Sequence, residues 1–242
     1  MNLATSKTVR EMALEIPGAT RVFEKLGIDY CCGGNRLLSD ACETAGVSVD
    51  QVLVSMELEQ GSQEKFEEPN FVTATLGELI NHIVEKHHVF TKAEIDRLRL
   101  LILKVENAHG QNHTEIPRLR SLFETLSAEL EPHMMKEEQV LFPYVRQMED
   151  AVRSERAHPH PPFGTVANPV RMMMMEHETA GEMLKEMREL TGNYAIPPDA
   201  CVSYQTLYQA LDAFEKDLHQ HIHLENNILF PRAVEMEGAA GR

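Results

Sequence analysis

From residue 75 onward, apolar positions recur every three or four residues across four long stretches, the period of an α-helix with one buried face. The first stretch runs from about Leu76 to Ala108, with Leu76, Leu79, Ile80, Ile83 and Val84 on one face and Leu98, Leu101, Ile102 and Val105 further along. The second runs from about Pro117 to Asp150, and the fourth from about Cys201 to Met236. The third starts after Asn168-Pro169 and carries Val170, Met173, Met174, His177, Ala180, Gly181 and Leu184 on one stripe. Between the second and third, Ala157 to Gly164 contains Pro159, Pro161 and Pro162 and cannot be regular helix. The pattern predicts an all-α fold, an antiparallel four-helix bundle over residues 75–238.

Ahead of the bundle the periods are shorter. Thr8 to Glu15, Gly18 to Leu26, Leu37 to Thr44 and Val49 to Glu59 each read as a short helix, and Gly27 is placed to cap the second. Residues 1–59 are therefore expected to form a small helical domain. Inside it, Cys31-Cys32-Gly33-Gly34 breaks the pattern, and its two glycines leave the backbone free to turn and the thiols unshielded. Residues 60–74 are polar and aperiodic over most of their length and are read as a linker.

Composition narrows the function. The 242 residues hold 23 Lys plus Arg against 38 Asp plus Glu, a formal charge of −15. That balance argues against nucleic acid and anionic membrane surfaces as partners. No apolar run reaches the roughly 18 residues of a membrane span, and Met1 to Glu15 has no signal-like apolar core. Two of the four cysteines, Cys31 and Cys32, are adjacent and cannot form an ordinary unstrained bridge, so a reducing cytoplasm is expected.

The chemistry lies in an internal repeat. His133-x3-Glu137 and His221-x3-Glu225 are each followed, after five further residues, by a proline, with Leu-Phe just before it. On a helix, positions i and i+4 share a face, so each copy aims an imidazole and a carboxylate the same way. The helix before each copy carries a histidine: His177 in the second half, and in the first half the adjacent pair His87 and His88, between which periodicity does not choose. Four imidazoles and two carboxylates converging in a bundle core suit iron or manganese, whereas structural zinc favours Cys-rich sites. Met134, Met135 and Met172 to Met175 would line the core beside them.

These residues resemble the hemerythrin-like fold. With Asp29-Tyr30-Cys31-Cys32-Gly33-Gly34 ahead of it, nearly the whole chain is similar to the iron–sulfur cluster repair di-iron proteins. The resemblance is carried by His133-Met134-Met135-Lys136-Glu137-Glu138, Leu141-Phe142-Pro143, and His221 with Leu224-Glu225-Asn226-Asn227 and Leu229-Phe230-Pro231-Arg232. It implies two non-haem iron ions, oxo- and carboxylate-bridged, with His88, His133, His177 and His221 as terminal ligands and Glu137 and Glu225 as bridges. It also implies repair of iron–sulfur clusters damaged by nitric oxide or oxidants through supply of iron. The partners would then be damaged iron–sulfur proteins or the cluster-assembly machinery, with nitric oxide or oxygen as small ligands. Cys31 and Cys32 would bind or pass on iron, or react with nitric oxide. The alternatives are nitric oxide reduction at the same site and reversible oxygen binding, although oxygen carriers of this fold use one more histidine.

Other residues rank lower. Glu129 and Glu176 are candidates for a polar route beside the site, and His223 for a supporting role. Cys42 and Cys201 read as buried or capping residues, His82 as structural, and His109, His113, His158 and His160 as loop residues. Pro132, directly before His133, is expected to kink its helix unless a π-bulge already interrupts the ladder there. A homodimer, paired through the Cys-bearing domain, is the expected assembly.

Overall fold

The computed structural model describes residues 6–61, 71–157 and 160–240. Most of the expected linker, residues 62–70, and His158 lie outside the described residues. The described residues are helical, with one isolated antiparallel bridge between Thr8 and Leu37.

Four short helices come first: α1 (Val9–Glu15), α2 (Ala19–Leu26), α3 (Leu38–Ala45) and α4 (Val49–Gly61). Thr8 and Glu11 close a capping box at the start of α1, each satisfying a backbone N–H that the helix leaves open. Gly27 ends α2 at φ +66°, left-handed backbone that a side chain would strain. Val9, Met12, Val22, Phe23, Leu38, Val52 and Met56 pack into a core of their own.

The four long helices follow. Leu76–His82, Ile83–His88 and Val89–His109 run on as α5, the middle piece wound as a π-helix. Glu115–Lys136, Glu137–Leu141 and Phe142–Arg153 make α6, Ala167–Leu190 is α7, and Val202–Leu224, Glu225–Leu229 and Phe230–Ala240 make α8. The middle pieces of α6 and α8 are π-helical as well. Glu149 of α6 accepts from the N–H groups of Leu76 and Gly77, at 2.7 and 2.9 Å, pinning the start of α5. Arg232 of α8 donates to the carbonyls of Phe71 and Ala74 and so holds the approach to the bundle.

The prolines fall where the ladder tolerates them. Pro117 and Pro169 sit in the first turns of α6 and α7, where the missing N–H has no helical partner. The helices therefore begin at Glu115 and Ala167, two and three residues earlier than the sequence pattern suggests. Pro132 is carried inside α6 without ending it, and the π-turn lies just after it, at Glu137–Leu141.

Two apolar layers fill the bundle. One gathers Leu98, Ile102, Leu119, Phe123, Leu126, Leu184, Leu211 and Phe214. The other gathers Leu79, Ile83, Leu141, Val145, Met173, Leu229 and Phe230. The chain crosses from one layer to the other at residues 88, 133, 177 and 221, which leaves a polar layer between them. Of the methionines, Met134 and Met173 are core, while Met135, Met172, Met174 and Met175 are exposed. The expected methionine lining is thus only two residues deep, because a run of consecutive residues spreads around every face of a helix.

Candidate metal centre

Each long helix delivers one histidine to the polar layer, and α6 and α8 add a glutamate one turn on. The side chains fall into two groups: His88, His221, Glu137 and Glu225, and His133, His177, Glu137 and Glu225. Both carboxylates belong to both groups. Within the first, His88 Nε2 lies 3.1 Å from His221 Nε2, and within the second, His177 Nε2 lies 3.1 Å from His133 Nε2. Glu137 Oε2 is 3.4 Å from Nε2 of both His88 and His133. Glu225 reaches His177 and His221 at 3.1 Å each. The pairing runs across the repeat, α5 with α8 and α6 with α7, because those helices are neighbours in the bundle.

The π-turns supply local reasons for this geometry. In α6, Phe142 N–H donates to the carbonyl of Glu137, five residues back, and in α8 Phe230 donates likewise to Glu225. The next residue in each is proline, which has no N–H to restore the α-ladder. The Leu-Phe-Pro that follows each glutamate therefore marks a widened turn, a feature frequent at functional sites.

A further set of side chains fixes the rings. His88 Nδ1 donates to Glu138 at 2.7 Å, and Glu138 is held by Lys92 at 2.6 Å. His133 Nδ1 donates to Glu176 at 2.7 Å, itself bonded by Lys136. His177 Nδ1 donates to Asn226 Oδ1 at 2.8 Å. Each bond places the proton on Nδ1 and leaves the Nε2 lone pair facing the centre, the arrangement by which outer carboxylates and amides orient metal-binding imidazoles. His221 Nδ1 accepts and donates nothing; its ring stacks on His87 instead, 5.9 Å between centroids. His87 turns away from the centre and bonds Asp217 at 3.0 Å.

The electrostatics call for a cation. Glu137 and Glu225 are both 0% exposed. Both oxygens of Glu137 and one of Glu225 have no hydrogen bond. Burial, joined by the charge of Glu225, pushes the Glu137 carboxyl well above its usual range. Burial works against the charge on Glu225 too, but His221 and His177 hold its carboxyl well below that range. Burial and the neighbouring His221 bring His88 down to about 4, so its imidazole is neutral and its lone pair free. Buried imidazoles around buried, orphaned carboxylates fit metal ions, since an unpaired buried charge is otherwise very costly.

The Cys-Cys-Gly-Gly turn sits against this centre. Asn226, which holds His177, also donates through Nδ2 to the Cys31 carbonyl at 3.2 Å. Asn227 Nδ2 donates to the Tyr30 carbonyl at 3.1 Å, and the Cys32 thiol approaches the His177 carbonyl at 3.6 Å. Asp29 gathers the turn by accepting from the N–H groups of Cys31 and Cys32. The thiols are 3.8 Å apart, Cys31 buried and Cys32 half-buried. The bond to Cys32, burial and the Asp29 charge push the Cys31 thiol well above its usual range. A groove of about 1370 Å³ runs past Asp29, Cys31, Cys32, Met174, Met175 and Asn226.

Among the lower-ranked candidates, Glu176 does border the centre, while Glu129 is exposed. His223 faces the Tyr30 carbonyl, 3.3 Å away, and His82 packs on Phe71 and His87. Sequence reasoning passed over Glu138 and Asn226. The signal was present: each directly follows the glutamate of the repeat, and each holds the histidine of another helix.

Residues 79–233 match the hemerythrin HHE cation binding domain, and residues 5–60 match a domain of unknown function, DUF542. The chain is 36% identical to the probable iron-sulfur cluster repair protein of Haemophilus influenzae, over 97% of this chain and 99% of that protein. It is also 36% identical to the iron-sulfur cluster repair protein YtfE of Citrobacter koseri, over 94% of this chain and 96% of the relative. The chain belongs to the hemerythrin-like iron–sulfur cluster repair family. The matched cation-binding domain contains the polar layer of α5 to α8, whose buried His and Glu side chains could hold metal ions, and no described helix is long and apolar enough to cross a membrane.

Proposed function

We propose that this protein repairs damaged iron–sulfur clusters by supplying iron held between α5 and α8 and between α6 and α7. His88, His133, His177 and His221 are the terminal ligands, and Glu137 and Glu225 are shared by two iron ions. One observation carries the reading: two buried pairs of imidazoles share the same two carboxylates, three of whose four oxygens have no hydrogen-bond partner. Mixed imidazole and carboxylate donors favour iron or manganese over a closed structural zinc site. Bound there, paired iron supplies redox chemistry together with metal that can be released. The chain's own residues orient the rings, exclude water and set the Cys turn beside His177.

That turn gives released iron a second set of donors. Asp29, Cys31 and Cys32 offer three ligand atoms within 4.8 Å of one another, bordering the groove. The names of the relatives support cluster repair as the activity, so the acceptors are proteins with damaged clusters.

The test begins with metal content and visible spectrum of anaerobically purified protein, before and after air. About two irons per chain are expected from the two groups. The iron-loaded protein is then incubated with an iron–sulfur enzyme inactivated by peroxide. Recovery of that enzyme's activity, with matching loss of iron from this protein, is expected. Zinc in place of iron, or intact iron with no recovery, sinks the proposal. Nitrous oxide formed from nitric oxide and a reductant, without recovery of the clustered enzyme, favours reduction at the same site.

A further inference from the structure

The far end of the bundle holds a second set of metal donors that the repair reading does not use. Two inter-helix connections meet there. His109 ends α5 and His113 lies in the connection to α6, while Asp199 lies in the connection to α8 and Cys201 is the cap residue of that helix. His109 Nε2 is 3.1 Å from Cys201 Sγ, and His113 Nε2 is 3.1 Å from Asp199 Oδ2. Donor atoms of His109, His113 and Asp199 all lie within 4.8 Å of one another. The rings of His109 and His113 meet edge to face, 6.0 Å between centroids.

A second carboxylate orients His113. Its Nδ1 lies 2.9 Å from Glu115 Oε1, and the Tyr204 hydroxyl donates to that same oxygen at 2.9 Å. The bonds to Glu115 and Asp199 raise the pKa of His113, so in the absence of a metal ion a proton on Nε2 bridges to Asp199 across 3.1 Å. A divalent ion bound at Nε2 and Asp199 would take the place of that proton while Glu115 keeps the one on Nδ1. The carboxylate–imidazole arrangement is the one that orients metal-binding histidines. Cys201 is prepared for the same role: the Tyr204 amide, then the His109 imidazole, lower its pKa, and a thiolate is the form that binds metal.

We propose that His109, His113 and Asp199 bind one zinc-class divalent ion that clasps the α5–α6 and α7–α8 connections together, with Cys201 as the fourth donor. The two imidazoles and the carboxylate already lie together, and the Cys201 thiol, 3.1 Å from His109 but outside that group, joins them by a turn of its exposed side chain, giving the four-coordinate shell that zinc favours. The spacing is compact in sequence, His-x3-His and Asp-x-Cys, but the two halves lie 86 residues apart and meet only in the fold. Glu115 and Tyr204 act as positioning residues for His113.

The experiment titrates the iron-loaded full chain with Co²⁺ as an optical probe, then displaces it with Zn²⁺. One Co²⁺ per chain is expected, with a near-ultraviolet thiolate-to-metal band. Cys201→Ser abolishes that band, and His113→Gln weakens binding at least about tenfold. Glu115→Gln weakens it by about 10–100-fold, the usual effect of removing an outer carboxylate. His160→Ala, on an exposed residue outside both sites, leaves it unchanged, and an iron content that stays constant through the titration separates this site from the buried centre. Helical circular dichroism checks each variant, and should His113→Gln lose its fold, the exposed Cys201→Ser decides alone. No band, a band that survives Cys201→Ser, or unchanged affinity in His113→Gln overturns the proposal and leaves His113 as a protonated surface imidazolium.

Discussion

Glu137 is the residue on which the buried centre turns. Its carboxylate belongs to both groups of donors and makes no hydrogen bond, only 3.4 Å contacts to His88 and His133, so removing it would take away metal donors at little cost in polar contacts. Glu137→Ala and Glu225→Ala are expected to retain far less iron than wild type, whereas His160→Ala, on an exposed residue, retains it fully; metal analysis after identical purification decides. Asn226→Ala is the subtler case. It removes the acceptor for His177 Nδ1 and the donor to the Cys31 carbonyl together. Iron affinity should drop by about 10–100-fold, with faster labelling of Cys32 in the native protein; an unchanged labelling rate would separate the turn from the centre.

At the scale of elements, the Cys turn and the π-turns explain how short motifs do their work. Gly34 is where the turn comes closest to α8: a Cβ there would meet Asn227 Oδ1 at 2.6 Å. Gly34→Ala must therefore move either the turn or Asn227, which holds the Tyr30 carbonyl. The expected cost is about 1–3 kcal/mol, as for other overpacked sites, read from the denaturant midpoint, with greater exposure of Cys32. A midpoint equal to wild type would mean that the turn does not seat on α8. The π-turns show the reverse dependence. Leu-Phe-Pro is legible as a helix irregularity, but only the fold reveals that the widened turn begins at the shared glutamate in both α6 and α8.

Across the whole molecule, a partly buried charge network ties α2 to the bundle. Arg188 of α7 bonds Glu215 at 2.9 Å and Glu24 at 3.4 Å, and Glu24 accepts from His219 Nδ1 at 2.9 Å. Burial disfavours charge on both Glu24 and His219, yet their mutual bond lowers the first and raises the second. The signs set a window. The Glu24 contribution is present above its ordinary value of 4.5 and is lost as pH falls through its lower folded value. The His219 contribution is present below 6.5 and is lost as pH rises through its higher folded value. Hydrogen-exchange protection factors across α2, which divide out the intrinsic pH dependence of exchange, should therefore be highest between those limits and fall at alkaline pH, and His219→Gln should flatten that alkaline fall. Arg188→Ala leaves the buried Glu215 with only the more distant His219, 3.8 Å away, and should cost about 3 kcal/mol in thermal or denaturant unfolding.

The sequence by itself determined the helical class, the four long amphipathic elements and the twofold His-x3-Glu repeat, because helical periodicity and i,i+4 spacing are local properties of the chain. It left His87 and His88 undecided, since adjacent residues differ by about 100° on a helix and the apolar stripe is wide enough to admit either. Tertiary packing sends His88 to His221 and His87 to Asp217. It also decided that Met135, Met172, Met174 and Met175 face outward, and that Glu138 and Asn226 reach across to neighbouring helices. His109 and His113 read as loop residues and Cys201 as a buried or capping one, and only the meeting of the two connections brings them beside Asp199. Which helices are neighbours is a long-range choice, made by the burial of whole faces, and no local spacing encodes it.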